Sequence, residues 1–360
     1  MRVVTFGEIM GRLCPSGHLR LRQSLPGSVD VTFAGAEANV AASLAMLGVD
    51  ASFVTALPNH VLADACVASL NALGIDTQHI LRRDAGRLGL YFVEAGANQR
   101  PSQVVYDRDG STISLTGAES YDWETILAGA SWLHLSGITP AISAAAAEST
   151  QAAATTAKRL GITVSCDLNF RKKLWRWSET QSPTELAGET MRSLLPHVDV
   201  VVANEEDCSD VLGIEADDTN VAAGQLNIER YPDVARQLVG QFPNVQKIAI
   251  TLRESISASH NNWGAMLFDC SEDTAHFAPL NDESYAPYPI RNIVDRVGAG
   301  DAFAAGLTYS LIHGTDPQDS VRFAVAASCL AHSIIGDFNF STLEEIKALM
   351  AGSTSGRVVR

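Results

Sequence analysis

The sequence has no apolar run approaching the roughly 20 residues that a membrane-spanning helix needs. Its 6 cysteines are widely separated, a spacing that indicates neither a CxxC metal motif nor a disulfide framework. It is also short of positive charge, with 26 lysines and arginines against 41 acidic residues and a formal net charge of −15. No basic run offsets this field, so we expect a cytoplasmic protein with neither a nucleic-acid nor a membrane partner.

What the chain does have is length and apolar content: 46% of its 360 residues are hydrophobic, enough to form a large core and to exclude disorder. Short apolar runs alternate with helical patterns along most of it, which is typical of βαβ units. The predicted core strands are residues 3–7, 52–57, 132–136, 163–168, 199–203 and 247–251. The predicted helices are residues 36–47, 60–73, 144–160, 186–195 and 302–312. The pattern predicts an α/β fold, an αβα sandwich around a mainly parallel, doubly wound sheet.

Two segments, residues 11–34 and 86–116, depart from this alternation. Polar and apolar residues alternate there with no room for a crossover helix, a pattern that predicts antiparallel strands. We expect these strands to form a small β-sheet lid inserted in a main domain of residues 1–350, with a flexible tail of residues 351–360. The polar residues 214–230 are predicted to lie at the surface. Because an isolated lid sheet exposes strand edges, a homodimer or a higher homo-oligomer is expected.

The sharpest local signal is the pair of glycines, Gly298 and Gly300, that flanks Ala299 before the predicted helix 302–312. Their spacing lets backbone N–H groups converge at a helix N-terminus, which forms a cradle for an anion. Asp301 follows directly, and a carboxylate beside a bound phosphate suits a base that takes a proton from an attacking hydroxyl. The combination predicts phosphoryl transfer to an alcohol. The alternative is a plain loop in which both glycines supply positive φ and Asp301 only caps the helix.

Residues 295–303 resemble the carboxy-terminal signature of the ribokinase-like (PfkB) carbohydrate kinases, although Arg296 stands where that family usually has Thr or Ser. Residues 33–42 resemble the amino-terminal signature, and the two occur in the family's order and at its usual separation. The resemblance implies a ribokinase-like α/β domain with a β-sheet lid, ATP as phosphoryl donor and Mg²⁺ as counter-ion. It leaves open whether a monovalent cation is also required.

Further stretches are similar to the members of this family that phosphorylate 2-keto-3-deoxy sugar acids, namely residues 5–10, 104–108, 167–175, 204–208 and 336–339. The resemblance therefore implies ATP-dependent phosphorylation of the terminal hydroxyl of a small-molecule sugar acid. Two alternatives stay open. One is a kinase of a neutral sugar such as fructose or ribose, and the other is a non-catalytic sugar-binding relative.

A sugar acid presents a carboxylate, which arginine suits because its planar fork donates two parallel hydrogen bonds. Alternation in residues 104–108 places Tyr106 and Arg108 on one face of a lid strand, and Tyr91 in a neighbouring strand could face the same space. These three residues are predicted to bind the substrate. The alternative is that the tyrosines only pack the lid and that Arg108 is a solvated charge.

Other substrate contacts are predicted in the main domain. Arg171 follows the predicted strand 163–168 and so lies at a carboxyl end, where open α/β sheets bind ligands. The resemblance assigns it to the sugar-acid carboxylate or to the phosphate; the alternative is a solvated helix face. Gly35 is expected to let the backbone approach sugar hydroxyls, with Asn39 one turn further along as a donor or as a structural residue. Asp337 is expected to accept a hydrogen bond from a substrate hydroxyl or, alternatively, to form a turn.

The metal-positioning acid is predicted just after the strand 199–203. The family's common pattern is Asn-x-x-Glu, and here it is Asn204-Glu-Glu-Asp207, with the shorter acid last. That departure leaves Glu205, Glu206 and Asp207 open, with Asp207 favoured, as the group that orients a Mg²⁺ ion that keeps several waters.

The same edge of the sheet is predicted to bind ATP. Asn204 and Thr251 each lie at the end of a predicted strand, and Gly298 and Gly300 would face the phosphates. After Thr251, the residues Leu252-Arg253-Glu254 replace the glycine that often follows in the family. Arg253 is predicted to contact a phosphate, with simple exposure as the alternative.

Overall fold

The structure, a computed structural model, describes residues 1–204, 206–215 and 227–353. Its strands are β1 (Arg2–Phe6), β2 (Met10–Cys14), β3 (Asp30–Ala34), β4 (Asp50–Val54), β5 (Ala56–Pro58), β6 (Leu81–Arg83), β7 (Gly89–Glu94), β8 (Gln103–Asp107), β9 (Ala130–Ser136), β10 (Thr163–Asp167), β11 (Val200–Ala203), β12 (Lys247–Ser257), β13 (His260–Asp269), β14 (Thr274–Ala278), β15 (Leu280–Asn281), β16 (Ser284–Tyr285) and β17 (Tyr288–Ile290). Its α-helices are α1 (Leu21–Ser24), α2 (Ala36–Met46), α3 (Val61–Ala72), α4 (Trp123–Leu127), α5 (Ile138–Ala141), α6 (Ala144–Arg159), α7 (Pro183–Leu194), α8 (Asp207–Leu212), α9 (Tyr231–Gln241), α10 (Ala299–Ile312), α11 (Pro317–Ala331) and α12 (Leu343–Met350).

The central sheet has nine strands, eight of them in the order β14-β13-β12-β11-β10-β9-β1-β4, with β17 also paired to β13. Every neighbouring pair from β12 to β4 is parallel, which confirms the predicted doubly wound arrangement. Beyond β12 the sheet continues with antiparallel strands that the sequence patterns did not predict. In particular, β12 runs six residues past the predicted end at residue 251, because its distal half forms a hairpin with β13 that extends beyond the buried core.

Helices cover both faces of this sheet, as an αβα sandwich requires. Alternate residues of β1 enter opposite apolar clusters: Val4 and Phe6 pack in one, and Val3 packs in the other. All three are fully buried, as expected for a parallel strand covered on both faces. In the described part of the chain, no helix combines the length and the apolarity needed to cross a membrane.

Capping residues set the helix boundaries. The helix predicted at residues 186–195 begins earlier, at Pro183, because Ser182 and Glu185 form a capping box and proline is well suited to the first turn. At the other end, Gly48 and Gly74 follow α2 and α3 with φ of +80°, which confirms the predicted stops.

The lid is a four-stranded sheet in the order β3-β2-β7-β8. Two of its pairings, β2 with β3 and β7 with β8, are antiparallel as predicted, whereas β2 and β7 pair in parallel. The chain returns to the main domain soon after β8: Ile113 lies in a 3-10 helix and is buried in the main core.

Residue register divides the lid into two faces. One cross-strand row consists of Thr32, Arg12, Tyr91 and Tyr106, and the next row consists of Val31, Leu13, Phe92 and Val105. Tyr91 and Tyr106 line the cavity described below, so the first row lies on the inner face and the apolar row on the outer face.

Three of the sequence predictions fall wholly or partly outside the described residues. These are Glu205, residues 216–226 of the predicted surface segment, and residues 354–360 of the predicted tail.

Candidate active site

A cavity of about 440 Å³ lies between the inner face of the lid and the carboxyl ends of β10, β11 and β12. Every predicted site residue that the structure describes lines it: Gly35, Asn39, Tyr91, Tyr106, Arg108, Arg171, Asn204, Asp207, Thr251, Arg253, Gly298, Ala299, Gly300, Asp301 and Asp337. These residues come from both ends of the chain and from both the lid and the main domain. The topology of the sheet therefore gathers the whole predicted set at one edge, where α/β folds bind ligands.

The two glycines of the anion loop have different roles. Gly298 is the N-cap of α10 with φ of +85°, and a Cβ there would lie 2.2 Å from the backbone oxygen of Asp337. Gly300 is already helical, and a Cβ there would meet nothing within 4 Å. Only Gly298 has positive φ, so the plain-loop alternative, in which both glycines supply positive φ, does not account for Gly300. Because Gly300 has no side chain, it leaves open space at the N-terminus of a 14-residue helix.

Asp301 is the third residue of α10 and not its N-cap. Its Oδ2 accepts a hydrogen bond of 2.6 Å from Asn39 Nδ2, which fixes the orientation of the carboxyl group. Burial raises the pKa of Asp301 to about 7; the Asn39 hydrogen bond and Arg171 lower it, and the negative charge of Asp337 raises it. A carboxyl group that titrates near neutral pH is well suited to act as a general base.

Asp337 is held by the lid. Its Oδ1 accepts a hydrogen bond from Arg12, and its Oδ2 accepts one of 2.7 Å from the hydroxyl of Tyr91. The predicted acceptor of a substrate hydroxyl is thus already engaged by two lid side chains. The sequence patterns did not single out Arg12. The available signal was an arginine within the first lid strand, because an arginine that is buried in a strand needs an acidic partner.

Arg108 is also paired within the protein. It forms a buried ion pair with Glu8, the second residue after β1, and its guanidinium lies 5.5 Å from the ring centroid of Tyr106. Glu8 was not among the predicted site residues. Because its carboxylate takes one end of the guanidinium fork, Arg108 keeps only its remaining N–H groups for a ligand.

Arg171 offers the more available positive charge. Its Nη1 donates to the backbone oxygen of Phe170 at 2.8 Å, and its charge lowers the pKa values of Asp301 and Asp207. Arg171 is exposed and lines the cavity. Its neighbours Lys172 and Lys173 are also exposed, but they do not line the cavity. Of this basic run, Arg171 is the residue positioned to meet an anionic ligand.

Two buried carboxylates occupy the floor of the cavity. Asp207 accepts hydrogen bonds from the backbone N–H groups of Phe170 at 3.0 Å and Asn204 at 2.9 Å, and burial raises its pKa. Asp167, which the patterns missed as a site residue, has its pKa raised by burial and by the charges of Asp207 and Asp301. Its signal was the position at the carboxyl end of a predicted strand.

This arrangement fits a hydrated divalent cation, whose charge would relieve the crowding of negative carboxylates. Among the described residues, no group of three or more His, Cys, Asp or Glu side chains could ligate a metal directly. A Mg²⁺ ion here would therefore keep most of its waters and be held through Asp207 and Asp167. Asn204, predicted to bind ATP, also has a structural role: its side-chain oxygen accepts hydrogen bonds from the N–H groups of Glu206 and Asp207 at the start of α8.

The outer end of the cavity carries two arginines. Arg253 extends from β12, and Arg296 donates to the backbone oxygens of Ser257 at 3.2 Å and Ala258 at 2.8 Å. Thr251 lies deeper, with its hydroxyl 3.5 Å from the backbone oxygen of Ala203. Positive charge next to the anion loop suits the phosphates of a nucleotide.

The fold and the site together define a phosphotransferase of the α/β class. The family profile described as pfkB family carbohydrate kinase matches residues 2–234 and 262–339. The chain belongs to this family and is a carbohydrate kinase.

Individual relatives are similar over almost the entire chain. The crystal structure of 2-dehydro-3-deoxygluconokinase from Thermotoga maritima is 46% identical with a TM-score of 0.88, covering 98% of this chain and 100% of that one. A 2-dehydro-3-deoxygalactonokinase from Haloferax volcanii is 29% identical over 98% of each chain. The fold is shared with a fructokinase from Xylella fastidiosa solved with bound ATP, which is 21% identical with a TM-score of 0.74 over 98% of each chain.

Proposed function

We propose that this protein transfers the γ-phosphoryl group of ATP to the terminal hydroxyl of 2-keto-3-deoxygluconate, yielding the 6-phosphate. The observation that carries the proposal is the position of Asp301, a carboxyl group with a pKa of about 7 that lines the cavity beside the anion loop. The names of the Thermotoga maritima and Haloferax volcanii relatives support a keto-deoxy sugar acid as the acceptor.

In the proposed step, Asp301 accepts the proton of the acceptor hydroxyl as that oxygen attacks the γ-phosphorus in line with the leaving group. Backbone N–H groups at the start of α10 stabilise the charge on the transferring phosphoryl group. Mg²⁺, when bound, would neutralise phosphate charge, and Asp207 and Asp167 would hold it through its water ligands. The lid excludes water, which would otherwise accept the phosphoryl group.

An anionic acceptor is favoured over a neutral sugar because of Arg171. This arginine lies at the cavity wall and donates a hydrogen bond to the backbone oxygen of Phe170, whereas Arg108 forms an ion pair with Glu8. Arg171 interacts electrostatically with Asp301 and Asp207, but a neutral sugar would give its N–H groups at the cavity wall no anion to bind. A sugar-acid carboxylate provides that anion, through two parallel hydrogen bonds.

The test is a comparison of acceptors under saturating ATP and Mg²⁺, with product identified by mass spectrometry and ³¹P NMR. The gluco and galacto keto-deoxy acids, fructose and ribose would be offered in parallel. We expect a kcat/KM for a keto-deoxy acid at least about tenfold above that for either neutral sugar, as one charge-assisted contact would give. A preference for fructose or ribose would reject the acid, and no phosphorylated product from any acceptor would support the non-catalytic alternative.

The Asp301→Asn variant is the matched control in this assay. It keeps the size of the side chain and removes the base, so turnover should fall by about 10²–10⁴-fold. Circular dichroism and the melting temperature establish that the variant is folded. Near-normal turnover in a folded variant would remove Asp301 from the mechanism.

The outer face of the lid supports a homodimer. Its cross-strand row includes Val31 and Val105, which are 61% and 57% exposed. An exposed apolar row on a small sheet is a surface that a second copy of the chain can cover. With ATP as the donor, the cytoplasm is the compartment we propose for this assembly.

A further inference from the structure

The lid and the anion loop meet at a buried cluster of charges built on Arg12. This arginine, only 2% exposed, belongs to the lid strand β2. One of its Nη atoms donates to Asp337 Oδ1 and the other donates to Asp295 Oδ2. A single lid side chain thus joins two segments of the main domain that are otherwise separated by α10 and α11.

Both acidic residues contact the backbone of the anion loop, Asp295 through its carboxylate and Asp337 through its backbone oxygen. Asp295 Oδ1 accepts hydrogen bonds from the N–H groups of Arg296 at 2.8 Å and Val297 at 3.2 Å, the two residues that lead into Gly298. The backbone oxygen of Asp337 lies against Gly298, where a Cβ would come within 2.2 Å of it. The position of the loop therefore depends on these two residues.

A second contact closes the cluster. Asp295 Oδ2 also accepts a hydrogen bond of 3.2 Å from the N–H of Gly336, so the segments before and after α10 and α11 are tied to each other and to Arg12. The Tyr91 hydroxyl, on the same inner row of the lid, donates to Asp337 Oδ2. Two neighbouring lid strands therefore hold the same carboxylate.

The chemistry of arginine matters here. Its planar fork can satisfy two separate carboxylates at once, and a lysine ammonium in the same place is a point charge without that geometry. The pairing exists only while the lid lies on the main domain. If the lid lifted, Arg12 would leave Asp295 and Asp337 without the cation that neutralises them.

We propose that Arg12 is a positioning residue that latches the lid onto the anion loop, so that closure of the cavity and alignment of the loop for phosphoryl transfer occur together. The inference rests on the proposed function for its kinetic consequences. Its physical content is a prediction about two segments, residues 10–14 in the lid and residues 295–298 in the loop. These segments should loosen together when the Arg12 fork is lost.

The experiment compares Arg12→Lys and Arg12→Met with Arg87→Met as the matched control. Arg87, two residues before β7, is also paired with a carboxylate, but its bidentate partner Asp107, at 2.7 and 2.8 Å, is exposed and belongs to the lid strand β8. Four quantities are measured in each: kcat, the KM for the sugar acid, the KM for ATP, and the ratio of ATP hydrolysed to sugar acid phosphorylated.

In the Arg12 variants we expect kcat to fall by about 10–100-fold, because misplacement by about 1 Å has effects of this size. The hydrolysis-to-transfer ratio should rise by about tenfold as water enters beneath an unlatched lid. The KM for the sugar acid should rise more than the KM for ATP, and Arg87→Met should match the wild type within about twofold. A purely structural role would lower the active fraction and leave the ratio and both KM values unchanged; that result overturns the latch.

Hydrogen exchange in the same variants gives a readout that needs no acceptor. The amides of Arg296 and Val297 should exchange at least about tenfold faster in Arg12→Lys than in the wild type, because Asp295 is released from its fork. If Arg12→Met does not fold, Asp337→Asn weakens the Arg12 fork at its other carboxylate, leaves the acceptor of these two amides unchanged, and should give the same change. Unaltered exchange at these amides in the folded variants overturns the latch, whereas a wild type that phosphorylates no sugar acid overturns only the proposed function.

Discussion

The pKa of Asp301 leads to a pH dependence that an ordinary aspartate would not show. With a pKa of about 7, the base is half ionised at neutral pH. A carboxylate of that pKa is about 9% ionised at pH 6 and about 91% ionised at pH 8, so kcat/KM should rise about tenfold over this range. An aspartate near its usual pKa of about 3.9 would be fully ionised throughout and would give a flat profile.

Two neighbours of Asp301 should move this profile in opposite directions. The hydrogen bond from Asn39 lowers the pKa of Asp301. In Asn39→Ala the rise of kcat/KM with pH, the acid limb of the profile, should therefore shift to higher pH. The negative charge of Asp337 raises that pKa, so Asp337→Asn should shift the limb to lower pH.

Initial rates of product formation, followed directly by ³¹P NMR between pH 5.5 and 8.5, provide the measurement. A terminal phosphate group also titrates near pH 6, so the slope of the wild-type profile is not sufficient evidence by itself. The titration of ATP is common to all three proteins, whereas the opposite shifts are specific to Asp301. A limb that stays in place, or that moves the same way in both variants, would refute the assignment of this pKa to the catalytic base.

Three further predictions concern the loop, the acceptor and the assembly. Gly300→Ala should leave the free energy of unfolding, measured in urea, within about 1 kcal/mol of the wild type and yet reduce turnover, because its Cβ enters open space in the cavity. Gly298→Ala should instead destabilise by about 1–3 kcal/mol or more, since its φ is +85° and its Cβ would strike Asp337; equal stability of the two variants would contradict this. Arg171→Met should raise the KM for the sugar acid about 10–100-fold in steady-state assays, while Lys172→Met should not, and equal effects would count against a specific contact. Val105→Asp should convert a dimer to a monomer in light scattering, and an unchanged mass would exclude the outer face of the lid as the interface.

Local patterns predicted the strands and helices of the main domain well because their signals lie within a few residues. The apolar run of β1 and the glycine after α2 are examples. The predictions failed where pairing decided the structure. The antiparallel strands β13 and β14 were missed, and nothing in residues 10–14 indicated that β2 would pair in parallel with β7.

Local patterns were sufficient to predict the main βα units, the anion loop and the acid that follows it, because glycine conformations and helix starts are local properties. The pairing of charges, in contrast, depends on the fold. The paired residues Arg12 and Asp337 are 325 positions apart in the sequence, and Arg108 and Glu8 are 100 positions apart. The raised pKa of Asp301 is equally non-local, since it comes mainly from burial beneath a lid that different segments of the chain build. Burial and pairing depend on which distant residues the fold brings together, and no spacing in the sequence records that.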